Sequence, residues 1–300
     1  MLASIPDREL FRGCLARQAL IGIAPGGIRV WRGPGFRKAV SLARLPKALA
    51  MGRALLSPNG KVAAAIYPHD GGVGDPDTVG LWDAASGQPR GVVRLTAGRV
   101  LGAALSDDGT RLAVFGDHAG RALLRVHRLD RASTREILAW SSEAERTTYA
   151  AAFSPDHRWL ALGAGPRLLV WAMNRKEPAL VGSAALDAIK ALFPAQLRPS
   201  VSFPGAHQIA FSPDGTQLST LHAFGVVGVA TWRLAAGSGP SRAALRPTAW
   251  VKRPKENATM RQVSWDDRGR LWLVSSTFGP SVWVHTARGD EFALERVLAP

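Results

Sequence analysis

The chain has 300 residues, 46% of them hydrophobic and 20% charged, which is the composition of a globular protein with a sizeable core, either one all-β domain or two smaller domains. Its single cysteine, Cys14, excludes an intramolecular disulfide and reads as a small buried hydrophobe. A net charge of +15 suits polyanionic or acidic partners, and it equally fits charge scattered over a solvated surface. No run approaches the ~18 apolar residues of a membrane helix, and MLASIPDRELFRGCLARQAL does not read as a signal peptide, so a cytoplasmic protein without membrane association is expected.

In chain order, a first unit over residues 8–45 offers LFRGCLA, GIRVWRG at 27–33 and KAVSLAR. The second, 50–97, runs through ALLSPNGKVAAAIY, VGLWD at 79–83 and GVVRLTA. The third, 98–140, has AALSDDGTRLAVFG, LRVHRLD and REILAW; the fourth, 145–182, has AAFSPDHRWLALGAG, LLVWAM and PALVGSA. After an insertion at 183–204 come the fifth, 205–247, with IAFSPDGTQLSTLH, VATWRL and SRAALRP, and the sixth, 259–299, with VSWDDRGRLWLVSS, SVWVHT and EFALERVL. The turn positions 57, 106, 154, 212 and 266 recur at intervals of 48 to 58 residues. Such a period identifies a repeat architecture.

Each unit has the same local chemistry. Asp-Gly and Asn-Gly favour tight turns because both residues tolerate positive φ, and Pro presets φ at the second turn position. The flanking runs of 4–8 residues are rich in apolar and β-branched members, as strands are. Trp31, Trp82, Trp171, Trp232 and Trp283 are assigned as the structural repeat positions that end the third strand, with His127 replacing Trp once; a large aromatic there packs one sheet on the next. Four-stranded sheets repeated at this period predict an all-β protein, a β-propeller of six blades of four antiparallel strands, with seven and one divergent blade as the alternative.

The SPDG-like turn and the Trp or Trp-Asp that ends the third strand resemble the WD-repeat β-propeller family across essentially the whole chain. Trp82-Asp83 is the one full Trp-Asp pair and the Gly-His pair is missing, so the repeats are degenerate. Asp77 and Asp117 sit where that family often places a turn-bracing Asp. The resemblance implies scaffold or adaptor work. The first and last repeats each supply a full set of strands, so ring closure is expected to rest on packing. Within the insertion, SAALDAIKALF at 183–193 predicts a short helix with Ser183 as N-cap and Leu186, Ile189 and Phe193 on one face.

No catalytic constellation is legible. The seven histidines lack metal-ligand spacing, and there is no CxxC, GxSxG or phosphate loop. Asp70, Asp75 and Asp77 in GGVGDPD read as a hydrophilic turn. Six-bladed propellers also house metal-dependent lactonases, which place acids where the first strands meet the channel. Here none of those strands carries a carboxylate before its turn, so no cofactor, no metal and no enzymatic activity are expected.

Those strand starts carry Arg12, Arg53, Arg99, Tyr149, His207, Gln208, Arg261 and Gln262. In a propeller they converge on one channel rim, where arginine forks concentrate carboxylates or phosphates. A basic segment with Lys252, Arg253 and Lys255 adds to them. The expected function is a non-catalytic scaffold for protein–protein interaction, acting as a monomer on an acidic protein partner. Nucleic-acid or other polyanion binding through the rim is the alternative, and a six-bladed hydrolase the lesser one.

Overall fold

The computed structural model describes residues 12–16, 19–24, 27–32, 38–43, 53–67, 78–94, 98–130, 133–145, 147–222, 227–236, 243–252, 260–275, 281–288 and 291–298. Every strand run predicted from the repeat forms a strand, and the described strands assemble into six four-stranded sheets. Each sheet is an antiparallel meander of four consecutive strands. The all-β expectation therefore holds at the level of the repeated blade.

Two compact units are present, Met1–Ser142 and Glu143–Pro300. The first holds three sheets: β1 Arg12–Ala16, β2 Ala19–Ala24, β3 Gly27–Arg32 and β4 Lys38–Ala43; β5 Arg53–Leu56, β6 Val62–Tyr67, β7 Thr78–Asp83 and β8 Pro89–Arg94; β9 Arg99–Leu105, β10 Arg111–His118, β11 Arg121–Leu129 and β12 Thr134–Ser142. The second unit repeats the plan: β13 Thr148–Phe153, β14 Trp159–Ala164, β15 Arg167–Ala172 and β16 Ala179–Ala185; β17 Gln208–Phe211, β18 Gln217–His222, β19 Gly228–Ala236 and β20 Ala243–Lys252; β21 Met260–Trp265, β22 Leu271–Ser275, β23 Ser281–Arg288 and β24 Glu291–Leu298. The middle strands β10, β14 and β18 are buried almost throughout. β10 and β14 read as near-continuous apolar runs, as strands without a solvated face do, whereas β18 buries Ser219, Thr220 and His222 beside its leucines.

Within the first unit, Ile21, Ile28 and Val30 pack with Ala63, Ala65 and Trp82, joining the first sheet to the second. Val62, Ala64 and Leu81 then pack with Leu112 and Val114, joining the second to the third. In the second unit Leu168 and Val170 pack with Leu218 and Trp232. Leu221 and Val229 pack in turn with Val263, Leu271 and Trp283.

The repeated turn is a hydrogen-bonded device. The Oγ atoms of Ser57, Ser106, Ser154 and Ser212 each accept the backbone N–H five residues on at 2.9 Å. Each hydroxyl donates in turn to Asn59, Asp108, Asp156 or Asp214 at 2.6–2.7 Å. Gly60, Gly109 and Gly215 take φ of 69–71° three residues after the Ser, and His157 is held at φ 61° in the same place in the fourth sheet, a conformation that favours glycine. In the sixth sheet Asp266 does both jobs. Its Oδ1 accepts the N–H of Arg268 and of Arg270, while its Oδ2 accepts Arg270 Nε and Trp272 Nε1.

That sixth turn closes one residue earlier, with Asp266 N–H donating to Arg270 O where Ser57 N–H donates to Val62 O. The register therefore corrects one repeat position. Trp82, Trp171 and Trp232 pair with Ala63, Leu160 and Leu218, the second residue of each following strand or its equivalent, and each follows an irregularity in pairing to the fourth strand. In the last sheet the residue so placed is His285, opposite Leu271 and just after the Val284/His285 irregularity. Trp283 stands two residues earlier, opposite Leu273. Both are buried. Alternation puts them on the same face of the strand, so Trp283 remains a core plate, displaced by one pleat repeat.

The insertion departs from the expected helix. Ser183 still belongs to β16, pairing with Leu169, and its hydroxyl accepts a hydrogen bond from Arg167, so it is not a cap. Two 3-10 helices follow, Leu186–Leu192 and Ala195–Ser200, the first entered from Ala185 without a side-chain cap. Pro194 and Pro199 keep them short, since proline cannot donate to a helical ladder. The expected apolar face does form: Leu186 and Ile189 are buried with Val201 and Phe203, and Leu192 and Phe193 pack against them.

Candidate binding surface

The predicted rim residues lie at or beside the starts of first strands. Arg12 and Arg53 open β1 and β5, and Arg261 is the second residue of β21; their side chains lie outside the described residues, as do Arg253, Lys255, Asp70, Asp75 and Asp77. Arg99 opens β9 with its side chain 70% exposed, 3.8 Å from the Asp117 carboxylate. An exposed pair of that kind contributes little to stability and leaves the guanidinium available to solvent. Gln262 and Lys252 are exposed.

In the second unit the structure draws Tyr149, His207 and Gln208 into a built corner. The Tyr149 and His207 rings lie 5.1 Å apart, centre to centre. The His207 N–H donates to Leu221 O at 2.8 Å, and burial lowers the His207 pKa. Gln208 Oε1 accepts the Val263 N–H at 2.7 Å, tying β17 to β21. These three residues thus brace neighbouring sheets.

The segment 201–207 that leads into β17 is held from several sides. Phe203 is buried edge-on to His222 and Trp250. A Cβ on Gly205 would overlap the Tyr149 ring, and one on Gly163 would come within 2.9 Å of Ala206 O. Beneath it lies a chain of hydrogen bonds that the sequence motif did not reveal. Trp232 Nε1–H donates to Thr220 Oγ1 at 2.9 Å, Thr220 Oγ1 lies 2.9 Å from His222 Nε2, and His222 Nδ1 is 3.1 Å from Gly205 O. A carbonyl only accepts, so Nδ1 carries the proton and Nε2 accepts from Thr220. Burial holds the His222 pKa down at about 3, which keeps this tautomer neutral. The signal for it was present in the Thr220-Leu221-His222 spacing, but a lone histidine without its Trp partner in register is uninformative.

Among the described residues no group of three or more His, Cys, Asp or Glu could hold a metal ion, and no helix is long and apolar enough to cross a membrane.

Neither a protein-family profile nor a curated protein matches the chain. Solved structures do. The β-propeller domain of Myceliophteria thermophila Cps50 (Swd1) superposes with a TM-score of 0.68 at 13% identity, covering 98% of this chain and 87% of that one. A 6-phosphogluconolactonase candidate from Bacteroides uniformis superposes with a TM-score of 0.59 at 14% identity, covering 92% of this chain and 79% of that one. Identity this low speaks to architecture alone, and the architecture it gives this chain is that of a β-propeller.

Proposed function

We propose that this β-propeller is a non-catalytic scaffold that binds an acidic protein partner. The observation that carries the reading is basic charge displayed on regular strands: Arg99, Arg128, Arg135, Arg246 and Lys252 are all exposed on or at the ends of strands. Arginine forks on a rigid sheet suit carboxylate and phosphate groups. Arg12, Arg53, Arg99, Arg261 and Gln262, with the basic segment Lys252, Arg253 and Lys255, supply the docking edges of this reading. The likeness to a propeller named Swd1 is consistent with it at the level of fold.

Affinity capture from source-cell lysate, with and without nuclease, tests it, using wild type and an Arg53→Ala/Arg99→Ala/Arg261→Ala variant. The expected result is a stoichiometric protein that survives nuclease and is lost in the variant. Recovery of nucleic acid alone would replace the scaffold with a polyanion binder.

The likeness to a 6-phosphogluconolactonase candidate favours a second reading, hydrolysis of a sugar lactone. It is tested directly by following 6-phosphogluconolactone. The expected rate is the spontaneous one; turnover abolished by a chelator would displace the scaffold reading.

A further inference from the structure

The residue after the third-strand Trp position, Asp83 in the second sheet, is Arg128 in the third and Arg233 in the fifth, and Arg32 follows Trp31 in the first. In each of these three sheets its fourth-strand partner in register is also basic: Arg32 opposite Lys38, Arg128 opposite Arg135, Arg233 opposite Arg246. The third sheet goes further, because Arg128 also pairs with Arg111 on β10. Arg111, Arg128 and Arg135 therefore form a row across three strands, on one face, within about 10 Å by ordinary strand spacing. Like charges directly opposite one another destabilise a sheet. Burial chiefly lowers the Arg111 pKa; Asp108 opposes this, and the Arg128 charge adds to it, so Arg111 senses the Arg128 charge. Arg128 and Arg135 are exposed, and among the described residues neither has a carboxylate within ion-pair distance.

We propose that the Arg111–Arg128–Arg135 row is a phosphate-recognition site that takes a phosphorylated side chain on an acidic protein segment. Arg128 and Arg135, adjacent within so short a span, suit one tetrahedral dianion, which each can engage with two N–H donors, while Arg111 adds positive charge beside them. An extended polynucleotide suits the row less. Asp108, Asp130 and Glu136 flank it along the chain, and within the first unit Asp83 holds the corresponding position between Arg32 and Arg128, so the basic positions are interrupted. The inference rests on the scaffold reading and names the chemistry of its partner.

The test uses the full chain and fluorescence polarisation with a short acidic peptide whose central serine is either phosphorylated or not, and with an oligothymidylate probe. Wild type should prefer the phosphopeptide by about 10-fold or more. Arg128→Ala/Arg135→Ala should lose that preference, Arg128→Lys/Arg135→Lys should keep part of it, and Lys176→Ala, which removes an exposed charge in the second unit, should leave it unchanged. Arg128→Gln/Arg135→Gln, which keeps the aliphatic stems, carries the test if the alanine variant fails to fold. Equal affinity for the two peptides, a preference that survives the double substitution, or tighter oligothymidylate binding through the same arginines would overturn the proposal. Failure of the lysate capture with the phosphopeptide preference intact would remove the scaffold reading and leave the site standing.

Discussion

His222 shows how much a single buried side chain decides. It is fully buried and links Trp232 and Thr220 on one side to the Gly205 carbonyl on the other. Its pKa is about 3 in the folded protein against an ordinary value of 6.5. The unfolded chain therefore takes up a proton below pH ~6.5 that the native state refuses, so stability is complete above that pH and is lost as pH falls toward the folded value. Near pH ~4.5 the loss from this residue is about 2–3 kcal/mol. Burial lowers the pKa of His127, His207 and His285 as well, and these act in the same direction. Urea unfolding followed from neutral to acid pH should show a steep decline in wild type and a slope shallower by about one proton in His222→Gln. Equal slopes would remove His222 from this role.

At the scale of the element, the turn and the insertion behave differently. The Ser turn rests on one hydroxyl that both accepts and donates, so Ser212→Ala should cost about 1–3 kcal/mol by leaving the Gln217 N–H without its acceptor. Asp266 accepts four hydrogen bonds in the shortened sixth turn, and Asp266→Ala should be the more destabilising of the two in the same denaturant titration. The insertion is anchored by its apolar side chains. Phe203 is buried among Leu186, Ile189, Val201 and the Phe193 and Trp250 rings, so Phe203→Ala should cost about 3–5 kcal/mol. Limited proteolysis should then cut at the exposed stretch from Ala195 to Ser200. An uncleaved variant of unchanged stability would show that the 3-10 pair holds without this anchor.

For the whole molecule, a net charge of +15 makes the proposed encounter with an acidic partner a long-range electrostatic one. Binding of an acidic protein should weaken as salt rises from about 0.05 to 0.5 M, because screening shortens the reach of exposed charges, whereas an apolar interface would be little changed. Isothermal titration at several ionic strengths separates the two. The blade architecture was legible in the sequence because turn chemistry and apolar strands repeat with a fixed period, and each β-meander is closed by local contacts. The candidate surface was legible only in part. Arg99 could be placed at a strand start, whereas the hydrogen bond from Val263 to Gln208 and the contact of the Tyr149 and His207 rings in the second unit were not legible.

The sequence by itself determined the elements: where strands begin, which turns take positive φ, and that the chain is all-β. Those are properties of neighbours along the chain, and composition and spacing report them. Only the tertiary structure decided the register of the last sheet, where His285 rather than Trp283 takes the common position, the neutral histidine beneath Gly205, and the alignment of Arg111, Arg128 and Arg135 in one row. Each depends on which residue of one strand stands opposite which of another, and that follows from turn length and pairing irregularities of a single residue. A repeat read along the chain averages such irregularities away.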